Sequence, residues 1–567
     1  MQNIFFLIFR RMRAPLLALI LTYAIAVLGL VLIPGQDADG NPWRMDFFHA
    51  FYFVSFMAST IGFGEIPFEF TNAQRLWVTF SIFFTVVVWL YSIGTLLTLF
   101  QDPTFQRALT ERRFTAQIRR IRDRFYLICG YGETGSALIQ ALTDRDQHAV
   151  AIDIRQDRVN LLKLENLRQY VPALCADARM PIHLMEAGLK HALCSGVVAL
   201  TDSNDANLKV AITAKLLHPE IKVICRADSH DIEANMASFG TDYIIDPFDT
   251  FAVHLATAIQ APCLNLLQEW LTGREESELR DPIYPPSEGL WVICGYGRFG
   301  KAVYDQLRKE GLELVIVEAE PEKTGLPKEY CVMGRGTEAE TLQEANIQRA
   351  VGLIAGTDHD ANNLSIIMTA RKLNPDLFVI MRQNRQDNDA IIEALQADMV
   401  MHPSAIVANR IRVLLGTPML HEFLQLVLYQ DDRWACELVS RILALVTSHA
   451  PDIWEVAFSE ESSHAICQSV LEGKAVSLRD VVTDPRNRSE LLQCIPLMML
   501  RNNERVLLPE MDEILHRNDQ ILFCGSHSAA NRMEWTLQNE HALSYILTGE
   551  ARPQGLLWRW LKRKEKA

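Results

Sequence analysis

No cysteine stands before residue 125, no two cysteines are spaced Cys-x-x-Cys, and the histidines, including His183, His218 and His402, show no metal-ligand spacing. These absences argue against a zinc module, and an odd total of 11 cysteines fits free core thiols in a reducing cytosol better than a disulfide framework. Cys129 and Cys294 read as core packing. A basic excess is missing too: the 567-residue chain carries a net charge of -14, which argues against a nucleic-acid surface. No grouping of general acid, base and nucleophile is visible, so the chain does not read as an enzyme. Charge itself is absent from two long stretches. Residues 14–33 are uncharged over 20 positions and residues 76–100 over 25, each enough to cross a bilayer.

The first run exceeds the ~7–15-residue apolar core of a signal peptide, and a second span follows it, so both are expected as membrane spans. Arg10, Arg11 and Arg13 precede the first span; Arg107, Arg112, Arg113, Arg119, Arg120, Arg122 and Arg124 follow the second. The positive-inside rule therefore places both termini in the cytoplasm. Between the spans, Asp37, Asp39, Asp46, Glu65 and Glu69 face only Arg44 and Arg75, an outer surface that attracts cations.

Within that outer segment, residues 46–58 are rich in aromatics and long enough for a re-entrant helix of about three to four turns, whose C-terminal end aims partial negative charge at a cation. Thr60-Ile61-Gly62-Phe63-Gly64 follows. It reads as an ion-selectivity filter. Potassium channels coordinate the dehydrated ion with backbone carbonyls from four such loops, and successive carbonyls face one axis only where some residues take dihedrals that glycine alone enters cheaply. Ile61 and Phe63 are expected to turn away and pack into the protein. In the second span, Gly94 suits either a hinge or close helix packing, and Leu96, Leu97 and Phe100 beyond it suit an apolar gate that closes by dewetting.

The chain then divides into a pore domain (1–100), an arginine-rich linker (101–124), an α/β domain (125–272), a linker with prolines (273–288), a second α/β domain (289–430), a small strand-rich lobe (431–545) and a basic tail (546–567). The tail reads as a solvated helix end rather than a membrane anchor. In the first α/β domain, a buried-strand run leads into Gly130-Tyr131-Gly132-Glu133-Thr134-Gly135, and a second strand ends in Asp153. In the other, Gly295-Tyr296-Gly297-Arg298-Phe299-Gly300 and Glu318 recur 165 residues later. Thr201, Asn207, Pro219, Arg226 and Pro247 recur as Thr357, Asn363, Pro375, Arg382 and Pro403, all offset by 156. The chain thus contains one domain twice. The apolar runs 251–270 and 406–428 are expected to pack each copy on its neighbour.

In such loops the first glycine makes the turn, the second admits a phosphate, the third lets helix and strand approach, and the acid meets ribose hydroxyls. Arg298 adds a positive charge to the second loop where the first has Glu133, so the copies are expected to differ in ligand or affinity. Asp177, Asp202 and Asp205 fall near the ends of later strands, as calcium ligands or as solvated loop acids.

Together these features resemble prokaryotic ligand-gated potassium channels with two RCK (regulator of potassium conductance) domains per subunit, and Ala176-Asp177-Ala178 is similar to their Gly-Asp-Ala element. The resemblance implies an all-α two-span pore attached to two Rossmann-like α/β domains, and a homotetramer embedded in cell-membrane lipid. It also implies K+ as the permeant ion, NAD or an adenine nucleotide (ADP, AMP or ATP) as ligand, and in some members calcium. The sequence departs from the pattern at Ile61, Phe63 and Glu65, at Ala176, and at Gly334-Arg335-Gly336-Thr337, where the second copy has no acid. A membrane-anchored nicotinamide-dependent oxidoreductase is the alternative; it leaves the filter unexplained.

Overall fold

The computed structural model describes residues 2–273, 282–325, 327, 331–446 and 449–550. Residues 274–281 of the expected linker and the tail from 551 onward lie outside them. Two compact units divide at Ile121 and Arg122.

The N-terminal unit is helical. Helices Gln2–Leu32 and Asn72–Gln101 contain apolar segments long enough to cross a membrane, Phe9–Leu32 and Asn72–Gln101. They pack closely because Gly29 has no side chain: the Trp77 indole lies against it and donates Nε1–H to the Ala26 carbonyl at 3.1 Å. The short helix Phe47–Ala58 begins where Asp46 accepts the His49 amide at 2.7 Å, and it buries Phe53, Val54, Phe56 and Met57 against Ala26, Val27 and Leu30. Asn72–Gln101 opens on a capping box between Thr71 and Gln74. The stretch read as a polar linker is itself a helix, Pro103–Ile118.

The C-terminal unit holds two six-stranded parallel sheets and two smaller antiparallel ones, of four and two strands. In each copy the strands, numbered within the copy, lie in the order 3-2-1-4-5-6. Strand 1, Phe125–Cys129 or Leu290–Cys294, is central, which is why its run is apolar on both faces. The repeated Thr–Asn pair has a structural role in both copies. Asn207 is fully buried and donates to the Thr201 and Arg226 carbonyls at 3.0 and 3.1 Å, and Asn363 does the same to Thr357 and Arg382 at 3.0 and 2.8 Å. Each asparagine pins the loop after strand 4 to the end of strand 5.

The copies exchange helices, as the apolar runs predict. Pro247–Gln260, which follows the first sheet, places Phe248, Phe251 and Leu255 in the core of the second copy against Phe299 and Val303. Pro403–Gly416 returns Val407, Ile411 and Leu414 to the first, against Leu138, Ile139 and Leu142. The lobe is a four-stranded antiparallel sheet with helices around it, and its core is continuous with Pro262–Thr272 and Pro418–Val427.

One expectation is overturned. The thiols are not all free: Cys263 and Cys436, 173 residues apart, form a disulfide. Their pairing depends on the packing of Pro262–Thr272 against Asp432–Leu443, which no local spacing announces.

Candidate functional sites

In the filter loop the backbone alternates. Thr60, Gly62 and Gly64 have φ of 59°, 66° and 99°, while Ile61 and Phe63 are absent from the positive-φ residues. This alternation turns successive carbonyls the same way. Thr60 is β-branched, so its left-handed backbone is an outlier of the kind that functional sites hold under strain. A Cβ added at Gly62 or Gly64 meets nothing within 4 Å, so no packing within the chain demands glycine there. Within one chain Ile61 and Phe63 are 61% and 66% exposed, and Phe63 meets the Phe56 ring edge-on at 5.5 Å.

The loop exit is braced by a pair that local pattern did not reveal. Glu65 accepts Nε and Nη2 of Arg75 at 2.8 and 3.0 Å and the Phe70 amide at 2.7 Å, tying the filter to the first turn of the inner helix. Glu65→Gln keeps the shape but replaces the charge-assisted fork by neutral contacts. In the channel expected from the sequence, conduction through reconstituted protein should then decay faster under sustained voltage, with ion selectivity at the first instant unchanged; steady current equal to wild type would show the brace to be dispensable. Gly94 lies within an unbroken helix, and nothing comes within 4 Å of its Cβ position, so packing within one chain does not require it. Leu97 is 56% exposed.

The two glycine loops share one construction. Gly130 and Gly295 take φ of 106° and 99°, and a Cβ on Gly135 or Gly300 would overlap the carbonyl oxygen of Gly130 or Gly295. Helices Glu133–Asp144 and Arg298–Lys309 start on Gly132 and Gly297, with no side chain capping either. Their first amides therefore remain available to an anion. Asp153, 5% exposed, accepts the Tyr131 amide at 2.6 Å and the Arg155 amide at 2.8 Å; Glu318 accepts the Tyr296 and Glu320 amides at 2.5 and 2.8 Å. Each carboxylate is thus fixed at its strand end, with lone pairs left for ribose hydroxyls. The donor sets fit a nucleotide.

The charges around these loops are not those read from the sequence. Arg298 does not overhang its own loop: its Nη1 pairs with Asp228 of the first copy at 2.8 Å, and its guanidinium lies 5.4 Å from the Phe248 ring centre. Glu133 does point away, toward the Gln386 amide and His402 of the second copy, at 3.4 and 4.0 Å. The cation that stands over a glycine loop is Arg158, on helix Gln156–Leu164. Its Nη1 lies 3.2 Å from where a Gly132 Cβ would be and 3.6 Å from Asp153, and its Nη2 lies 3.5 Å from Asp202. Among the described residues nothing comes within 4 Å of the matching position on Gly297. The Glu133/Arg298 difference therefore serves the contact between copies, and the guanidinium beside a glycine loop is that of Arg158, in the first copy.

Asp177, Asp202 and Asp205 are not gathered into one ligand set among the described residues. Asp177 is forked by Arg179, with Nη2 to Oδ2 at 2.8 Å, and Asp202 faces Arg158.

Asp246 caps the exchanged helix by accepting the Phe248 and Asp249 amides at 2.7 and 3.3 Å. Burial, with Asp249 and Asp228 nearby, raises its carboxyl to about 6. A carboxyl raised on folding favours the folded state below its unfolded value, and that advantage is lost as pH rises through 6. Asp246→Asn should cap nearly as well, and should stabilise the C-terminal unit at pH 7.5 by on the order of 2 kcal/mol. Its effect should fade between pH 6 and 4. Thermal unfolding of variant and wild type across pH 4–8 checks this; a pH-independent difference would refute it.

Residues 16–102 match the ion channel family, and residues 126–247 and 291–403 each match the TrkA-N domain. Potassium channel protein 1 of Methanocaldococcus jannaschii is 30% identical over 149 residues, 25% of this chain and 44% of that protein. The Trk system potassium uptake protein TrkA homolog of Pyrococcus horikoshii is 32% identical over 136 residues, 22% of this chain and 60% of its own length. The chain therefore spans less than two thirds of either relative. The solved GsuK channel is similar over 93% of this chain and 99% of its own, at 16% identity and a TM-score of 0.48.

Proposed function

We propose that this chain, which joins an ion-channel domain to two TrkA-N domains, is one subunit of a potassium channel whose opening depends on nucleotide binding in the cytosol. The observation that carries the reading is the filter loop. Five residues with alternating backbone hand, held between two spans and preceded by a capped short helix, lie inside the ion-channel match. The exposed faces of Ile61 and Phe63 support a homotetramer, since neighbouring copies would cover them as four loops close one pore. Arginines at both membrane flanks support cytoplasmic termini in the cell membrane. The oxidoreductase alternative gives no role to the filter, the brace or the ion-channel domain.

NAD or an adenine nucleotide is the ligand that the glycine loops suit, with the phosphates at the Gly132 and Gly297 helix starts and the ribose at Asp153 and Glu318. Bound nucleotide supplies no chemistry; it biases the C-terminal unit between conformations by its differential affinity for them. Arg158→Gln should weaken binding at the first copy about 10-fold, because one charge-assisted contact to phosphate contributes ~1.5–3 kcal/mol. Arg298→Gln should leave nucleotide affinity within about twofold and instead loosen the contact between copies. Calorimetric titration with NAD, ADP and ATP separates the two, and the reverse ranking would restore Arg298 as the phosphate residue. Single-channel recording in bilayers, with nucleotide added on the cytosolic side, tests the function. Absence of potassium current under every ligand would end the channel reading.

A further inference from the structure

Two half-buried sulfurs and one carboxylate meet where the helix after the first copy packs on the first helix of the lobe. Cys263 is the second residue of Pro262–Thr272, and Cys436 lies one turn into Asp432–Leu443. Their Cα atoms are 5.0 Å apart, within the range a disulfide needs, and the structure joins them. Asp432 accepts the Leu264 amide at 3.1 Å through Oδ1, capping the first of these helices from the second, and its Oδ2 lies 4.0 Å from the Cys436 sulfur. That cap does not depend on the disulfide, so it keeps the thiols adjacent after reduction. Seven of the other nine cysteines are buried. Burial pushes Cys194 up to about 11, and Cys225, Cys294 and Cys494 up to about 12, where little thiolate forms.

We infer that Cys263 and Cys436 form a reversible thiol–disulfide site through which the redox state of the surroundings sets how tightly the first copy is held to the lobe. The assignment of roles follows from position. The Asp432 carboxylate lies near both sulfurs, but Cys263 sits at a helix start, whose amides favour the thiolate, while Cys436 lies a turn inside its helix; Cys263 is therefore the attacking sulfur and Cys436 resolves. The oxidant is a small-molecule disulfide such as oxidised glutathione. The Cys263 thiolate attacks one of its sulfurs, the S–S bond breaks, and one thiolate leaves. Cys436 then loses its proton and attacks Cys263 in the mixed disulfide, expelling the second thiolate. The balance is two protein thiols and one small disulfide giving one protein disulfide and two small thiols. The bond closes a loop containing the whole second copy, so it adds a covalent tie between segments that packing and the Asp432 cap otherwise hold.

The cytosolic setting of this site rests on the channel reading; the pairing does not. The test equilibrates full-length protein in detergent with glutathione buffers from fully reduced to fully oxidised, then counts thiols by maleimide mass tagging after denaturation. Eleven tags in reducing buffer and nine in oxidising buffer are expected, from 11 cysteines of which two pair. Cys436→Ser and Cys263→Ser should each show ten tags after reduction, and no protein disulfide between these positions in either buffer. A bond that persists in millimolar reduced glutathione, or that never forms in oxidised glutathione, would overturn the proposal. So would zinc copurifying with the reduced wild type and lost in both variants, since the cluster would then be a metal site. In bilayers, open probability should differ at least threefold between the two buffers for wild type and not for Cys436→Ser. Equal open probability would overturn the regulatory half of the proposal, whereas absent current with the expected tag counts would count against the channel reading alone.

Discussion

Gly62→Ala should silence potassium current while the C-terminal unit stays folded and keeps its nucleotide affinity. The reason is dihedral, not steric. A Cβ at Gly62 meets no atom within 4 Å, yet the residue sits at φ 66°, where an L side chain costs roughly 1–2 kcal/mol. Four subunits contribute to one ring in the proposed channel, so the penalty reaches roughly 4–8 kcal/mol for the conducting conformation, three or more decades in its population. Single-channel recording with calorimetric nucleotide titration of the same preparation measures both halves. Wild-type current from Gly62→Ala would mean that the alternating backbone is not the ion path. Simultaneous loss of nucleotide binding would mean that the variant had misfolded beyond the pore.

Gly135→Ala and Gly132→Ala should fail in different ways although they lie three residues apart. At Gly135 the new Cβ would overlap the carbonyl oxygen of Gly130, and backbone cannot swing aside as a side chain can. The helix must lift from strand 1, at a cost of about 3 kcal/mol, with a lower unfolding temperature and no nucleotide bound at the first copy. At Gly132 the nearest atom is the Arg158 guanidinium, 3.2 Å away on a flexible arm. Stability should change by less than about 0.5 kcal/mol there, because Gly132 is only part-buried and the flexible Arg158 arm can yield to the methyl. Nucleotide affinity should nevertheless fall by 10-fold or more, because the methyl occupies the phosphate's approach to the helix start. Differential scanning calorimetry paired with ligand titration distinguishes these patterns. Equal destabilisation by both substitutions would assign Gly132 to folding alone.

The lobe shows why strand-like runs are an incomplete guide. Segments such as Gln520–Gly525 do form its sheet, but the helices around that sheet close a core shared with Pro262–Thr272 from far upstream. No window of the sequence contains both partners. The calcium reading has the same limit: Asp177, Asp202 and Asp205 suit oxygen ligation by type, while Arg179 and Arg158 take two of them.

The residues by themselves determined the two long apolar helices, the glycine alternation of the loop between them, both glycine loops, the carboxylates at the strand ends and the duplication. Each depends on a requirement met within a few positions: enough apolar length to cross a bilayer, a glycine where φ must be positive, an acid at the end of a strand. Tertiary structure decided the partners of the long charged side chains and of the thiols. Arg298 turned to Asp228, Arg158 came over Gly132, Arg75 braced Glu65, and Cys263 met Cys436 across 173 residues. A guanidinium on a flexible stem, or a sulfur on a helix, pairs with whatever the packing of distant elements brings within reach. The exchange of Pro247–Gln260 and Pro403–Gly416 between copies fixed that packing.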